Sequence, residues 1–103
     1  MQLILLYSLK GGVSRDDFHK WVLDVDYPTM RGLARVENFK TYESKKLLMG
    51  AGEPSIGYVE VFDIPDFDGF IADDLSGETV QGVMAQFMGF ADGPEFIISE
   101  EVN

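Results

Sequence analysis

The run Leu3-Ile4-Leu5-Leu6 is apolar at every position, and it opens a chain of only 103 residues. A strand with one wet face alternates apolar and polar side chains. An unbroken apolar run reads instead as a strand buried on both faces. Residues 2–9 are predicted to be that strand, ended by Lys10-Gly11-Gly12. Phe96-Ile97-Ile98, at the centre of a second predicted strand over residues 95–102, has the same character. A chain of this length makes one domain, residues 1–103, with little protein to spare for covering two sheet faces.

The segments between these strands supply two helices and two more strands. Ser14 is placed to accept from orphan amides, and Asp16 and Asp17 sit at the positive end of a helix dipole. Phe18, Trp21, Val22 and Val25 follow as one apolar stripe. Pro28 is expected to end or kink this helix near Asp26-Tyr27, with a further turn through Met30 to Leu33. Residues 35–46 read as a polar edge strand. In residues 56–64, Tyr58, Glu60 and Phe62 face one way and Val59 and Val61 the other. A short helix with an acidic first turn suits residues 66–73. Ser76 is a candidate cap for a further helix carrying Val80, Val83, Met84 and Phe87 on one face, and residues 89–94 read as a loop.

The order is strand, helix, strand, strand, helix, strand. It predicts an α+β domain with a ferredoxin-like, antiparallel βαββαβ sheet and helices on one face. Two helices cover one face only. Something outside the chain must cover the other, and a second copy of the same sheet is the simplest cover, which predicts a homodimer.

Composition narrows the functional classes. Hydrophobic residues are 46% and charged residues 25%, ordinary for a folded domain. No apolar run approaches the roughly 20 residues of a membrane-spanning helix. With no leader pattern to mark it for export, the chain is expected in the cytoplasm. Cysteine is absent, which removes thiolate metal sites and cysteine nucleophiles. The net charge is −10, so binding to nucleic acid or an anionic membrane surface is not expected. All eight basic residues precede residue 51, and the two halves carry +2 and −12. That asymmetry suits either a solvated acidic flank or complementary surfaces in a symmetric dimer.

Few residues carry chemistry. Gly11-Gly12 matches no phosphate-loop spacing, and Asp66-Phe67-Asp68-Gly69 lacks the later ligands of a calcium loop. With a single histidine, His19, no protein-made metal site is expected. Asp26 stands out. At a helix C-terminus its carboxylate opposes the dipole, so it either caps the turn that follows or serves as a pocket acid or base with a pKa raised by burial. Tyr7, Tyr58 and Glu60 are placed on strand faces where polar groups orient an aromatic ligand. His19 flanks the helix stripe and faces the same way as Asp26, two turns or roughly 10.5 Å of rise away. Trp21 reads first as core.

The element order, Phe18 and Trp21 on the first helix, the Asp26-Tyr27-Pro28 step and the closing Gly93-Pro94-Glu95-Phe96 resemble the dimeric α+β barrel superfamily. Within it, the opening residues 1–14, followed by Asp17-Phe18 and Trp21-Val22, resemble the HapK or RedY-like branch, whose members belong to prodiginine pathways. The resemblance implies a homodimer with a pocket between sheet and helices in each protomer. In EthD-like relatives a helix carries a tryptophan and then a histidine just before a proline. Trp21 matches the first, but Asp26 stands where the histidine is expected. That departure counts against histidine-dependent oxygen chemistry and haem ligation.

The reading that results is a small-molecule-binding, cofactor-free enzyme or accessory protein of secondary metabolism. It would assist condensation, cyclisation or proton transfer on a small aromatic molecule. Asp26 is the expected catalytic acid or base, and Tyr7, His19, Trp21, Tyr58 and Glu60 are the expected substrate-binding residues. Two alternatives remain open: a non-catalytic dimeric binding or stress-responsive protein, and a cofactor-independent monooxygenase.

Overall fold

The computed structural model describes residues 1–103. Four strands form one antiparallel sheet in the order β2-β3-β1-β4, with β1 Gln2–Leu9, β2 Asn38–Glu43, β3 Tyr58–Asp63 and β4 Ala91–Ser99. Between β1 and β2 lie α1 (Arg15–Trp21), a π-helical turn (Val22–Asp26) and α2 (Tyr27–Arg31). Between β3 and β4 lie α3 (Phe67–Gly69), a second π turn (Phe70–Asp74) and α4 (Glu78–Phe90). This is the expected α+β, ferredoxin-like arrangement. No helix is long and apolar enough to cross a membrane.

The register explains both apolar strands. Leu3, Leu5 and Tyr7 pair with Phe62, Glu60 and Tyr58, and these side chains share the helix-covered face. Leu5, Tyr7, Tyr58, Glu60 and Phe62 are all buried. Ile4 and Leu6 pair with Val61 and Val59, and Ile4 also with Ile97. That second face has no helix over it, and its residues are only half-buried or exposed. Phe39 stacks on Phe62 with ring centroids 3.9 Å apart, which ties edge strand β2 into the core.

Several local expectations are corrected. Residues 89–94 are not a loop: α4 runs to Phe90 and β4 begins at Ala91. Pro94 is tolerated because β4 is an edge strand and has no outer partner to miss the absent N–H. Opposite it the register slips between Leu6–Glu95 and Ser8–Asp92, and Gly93 takes up the extra residue with φ of +53°. Ser76 does not cap α4. Gly77 stands at that position in extended conformation, with no side-chain cap. The cap at Ser14 forms as expected, its hydroxyl accepting from the Asp17 amide at 3.2 Å.

The outer edge of β2 is covered by α2. Arg31 donates twice to the Phe39 carbonyl, at 3.0 and 2.8 Å. The Tyr27 hydroxyl bridges the amide and carbonyl of Thr41, at 2.8 and 3.2 Å. The Arg31 guanidinium also lies 3.7 Å from the Tyr27 ring centroid. The acidic second half is partly neutralised within the chain: Arg35 binds Asp66, Asp73 and Asp74, tying both ends of the segment after β3 to the start of β2.

Two glycine substitutions test this backbone with opposite signs. Gly93→Ala forces a side chain into the left-handed region and should lower the unfolding free energy by about 1–2 kcal/mol. Gly82 is exposed in mid-helix and nothing lies within 4 Å of an added Cβ, so Gly82→Ala should raise it by about 1 kcal/mol. Urea denaturation of the three proteins reads both changes.

Candidate active site

Pro28 lacks an amide hydrogen, and its ring cannot lie under the carbonyl of Asp24 in a regular α-helix. The helix neither ends nor breaks there. It widens, and the Tyr27 amide reaches back five residues to the Val22 carbonyl. This π turn changes which side chain faces inward. Straight helical spacing after Phe18 and Val22 places Val25 in the core, whereas Phe18, Val22, Asp26 and Met30 are buried and Val25 is only half-buried. Asp26 is 3% exposed, is helical with φ −63° and ψ −55°, and makes no capping hydrogen bond. The capping role is thereby excluded.

Asp26 faces a cavity of about 390 Å³ between sheet and helices. Its floor is formed by Leu3, Leu5 and Phe62, and one wall by Val80, Val83 and Phe87 of α4. Phe67, Phe70, Ile71 and Leu75, from the segment that Arg35 holds, form another wall. Of the 17 lining residues 15 are hydrophobic; the other two are Asp26 and Glu60. Glu60 is 2% exposed on the middle of β3 and accepts from the Tyr7 hydroxyl.

No basic side chain acts on this carboxyl pair. Burial alone pushes Asp26 up to about 7. Burial, then the charge of Asp26, pushes Glu60 up to about 8, against the opposing effect of the Tyr7 hydrogen bond. Tyr7 is raised far out of its ordinary range, by burial first and then by the charge of Glu60, so its hydroxyl stays protonated as a donor. An acid near 7 divides between its two forms at neutral pH, the condition in which general acid–base transfer is most efficient. Two adjacent buried carboxyls avoid double ionisation by retaining protons.

The remaining expected site residues lie elsewhere. His19 and Tyr58 line a separate cleft with Glu43, and no residue lines both spaces. The His19 Nε2 atom is 2.7 Å from the Tyr58 hydroxyl. His19 therefore does not share a pocket with Asp26, because the π turn has rotated the chain between them. Trp21 lines neither space. Its indole donates to Gln86 at 2.7 Å, and its ring packs among Phe18, Phe87 and Phe90. The stacked rings of Tyr7 and Tyr58, with centroids 5.5 Å apart, join the two regions. Sequence reasoning missed the second wall and the methionines Met30, Met84 and Met88. Their only signal was apolar side chains beyond what two short helices need. Among the residues of the chain no group of three potential ligands is clustered to hold a metal ion.

The raised carboxyls set a pH dependence of stability. Unfolded, both groups titrate near 4; folded, they keep their protons to about 7 and 8. The folded state binds more protons between these values, so this contribution is complete at about pH 4 and is lost as pH rises through 7 to 8. Wild-type unfolding free energy should therefore fall between about pH 5 and 9. Asp26→Asn should flatten the profile and be more stable at pH 9, on the order of 2–4 kcal/mol. Urea melts across that range read the slope, and an unchanged slope would refute the assignment.

Comparison with known proteins places this chain in a family. The family model described as REDY-like protein HapK matches residues 1–102. The crystal structure of HapK from Hahella chejuensis is similar at 26% identity and a TM-score of 0.73, over 100% of this chain and 96% of that one. An ethyl tert-butyl ether D (EthD) family protein from Bacillus halodurans is similar at 16% identity and a TM-score of 0.72, over 98% and 97%. A protein described as dimeric and ferredoxin-like, of unknown function, from Thermobifida fusca is similar at 14% identity and a TM-score of 0.69, over 93% and 85%. No curated protein sequence matches the chain significantly. The match across almost every residue makes the chain a member of the HapK family of REDY-like proteins.

Proposed function

We propose that this protein binds a small, flat, largely apolar aromatic molecule in the cavity and catalyses proton transfer on it without a cofactor. It would act as an enzyme or accessory of secondary-metabolite biosynthesis in the cytoplasm. The observation that carries the reading is the carboxyl pair: Asp26 and Glu60 are the two polar residues in an otherwise apolar lining, with no counter-cation. A volume of about 390 Å³ suits one small organic ligand. Two uncompensated buried acids lower stability at neutral pH, and such a cost is characteristic of functional sites.

The geometry divides the roles. Tyr7 holds Glu60 by a hydrogen bond, which fixes that carboxyl in place. Asp26 has no such partner and is the mobile proton carrier. With one carboxyl protonated and its neighbour ionised, the pair can deliver a proton at one atom of a bound ligand and remove one at another. That is the chemistry of condensation, cyclisation and tautomerisation.

We propose further that the working form is a homodimer. Ile4, Leu6, Val59, Val61 and Ile97 form an apolar face that no helix covers, and the Thermobifida fusca neighbour is described as dimeric. Light scattering should give twice the 11.5 kDa chain mass, and Val61→Asp should halve it. A wild-type monomer would remove this part of the reading.

Native mass spectrometry of gently purified protein is the direct test of the ligand, and should show an aromatic metabolite retained by the protein. Asp26→Asn should keep fold and ligand but slow turnover of that metabolite by about 10²–10⁴-fold. Full activity in Asp26→Asn would sink the catalytic assignment.

A further inference from the structure

The cleft around His19 is not used by the carboxyl site. Its volume is about 200 Å³, and residues from α1, the first π turn, α2, β2 and β3 line it. Three functional groups converge there. The His19 Nε2 atom is 2.7 Å from the Tyr58 hydroxyl, which lies 3.5 Å from Glu43 Oε2. Glu43 is gripped by Arg15 at 2.5 and 2.8 Å and bonded by Lys45, which hold its carboxyl down at about 2 and ionised. Thr41 also lines the cleft, and its hydroxyl is the one buried side-chain polar atom in the chain without a hydrogen-bond partner. Folding alone does not call for this much polarity in one place.

The chemistry of the cleft selects its occupant. Apolar surface comes from Phe18, Val22, Leu23 and the Tyr27 ring, which suits a single flat ring. The Glu43 carboxylate already accepts from Arg15, Lys45 and the Tyr58 hydroxyl, and His19 is turned to Tyr58, so the acceptor left for a ligand is the Tyr58 oxygen. A ligand must therefore bring a donor. An anion meets the Glu43 carboxylate, and a cation meets Arg15 and Lys45. A neutral aromatic O–H satisfies every condition. We propose that the His19–Tyr58–Glu43 cleft is a second binding site, distinct from the cavity, for a small neutral phenol whose hydroxyl donates to the Tyr58 oxygen.

Amide NMR titration of the intact protein with 4-ethylphenol tests this, with ethylbenzene as the probe lacking the donor. Saturable shifts are expected at Leu23, Thr41 and Glu43 of the cleft, and these decide the proposal whether or not Val80, Val83 and Met84 of the cavity also respond. Tyr58→Phe keeps the ring, and with it the Tyr7 stack, and should weaken 4-ethylphenol about tenfold. Any of four results overturns the proposal: shifts confined to the cavity residues, no saturable shift, equal binding of ethylbenzene, or unchanged affinity in Tyr58→Phe. None of them bears on whether Asp26 transfers protons in the cavity.

Discussion

A proline in the middle of a helix must be accommodated by the residues before it. Here Pro28 is absorbed by one widened turn, and most of the site follows from that turn. It places Asp26 under the helix, where Val25 would otherwise lie, and turns His19 away from it. The same continuation carries Met30 into the cavity and presents Tyr27 and Arg31 to the edge of β2. A helix that ended at Pro28 would leave the carboxylate at its terminus in water, and the cavity would have one acid instead of two.

Electrostatics then set what the cavity can do. Asp26 and Glu60 are distant in sequence and come from different elements, so neither is raised by a local pattern. They are raised because the sheet and helices exclude water from both at once and no cation was built beside them. Around Glu43 the opposite choice holds. Arg15 and Lys45 keep that carboxyl ionised at the cleft mouth. Two acids raised toward neutrality and one held ionised, within one small domain, define two separate chemical environments.

Much of this was legible in the sequence. The unbroken apolar run at Leu3–Leu6 foretold a sheet needing cover on both faces, and the alternation in residues 58–62 put Glu60 on the inner one. Asp26 stood out because a carboxylate two residues before Pro28 opposes the helix dipole, which leaves capping of the next turn or a pocket acid as its readings. The grouping of the site was not legible. Regular helical spacing has no term for one extra residue in a turn, so it joined His19 to Asp26 and left Val25 inside. Gly89 and Pro94 suggested a loop because both weaken regular structure, yet a helix end and an edge strand tolerate them. The wall from residues 67–75 depends on Arg35 reaching across the chain, a contact without local signature.

The arrangement at β2 also limits how copies can add to one another. A sheet has two rims, and each can recruit a strand through its free amides and carbonyls. Along β2, Arg31 occupies the Phe39 carbonyl and Tyr27 occupies both polar groups of Thr41. The rim at β4 carries no comparable side-chain cover. Growth by strand addition therefore has one live end and one stopped end. A protein with a single live end can join once and terminate, but it cannot polymerise by repeating the same contact. The side chains that fasten α2 to the sheet thus act as a guard against fibres in a chain whose apolar strands would otherwise favour them.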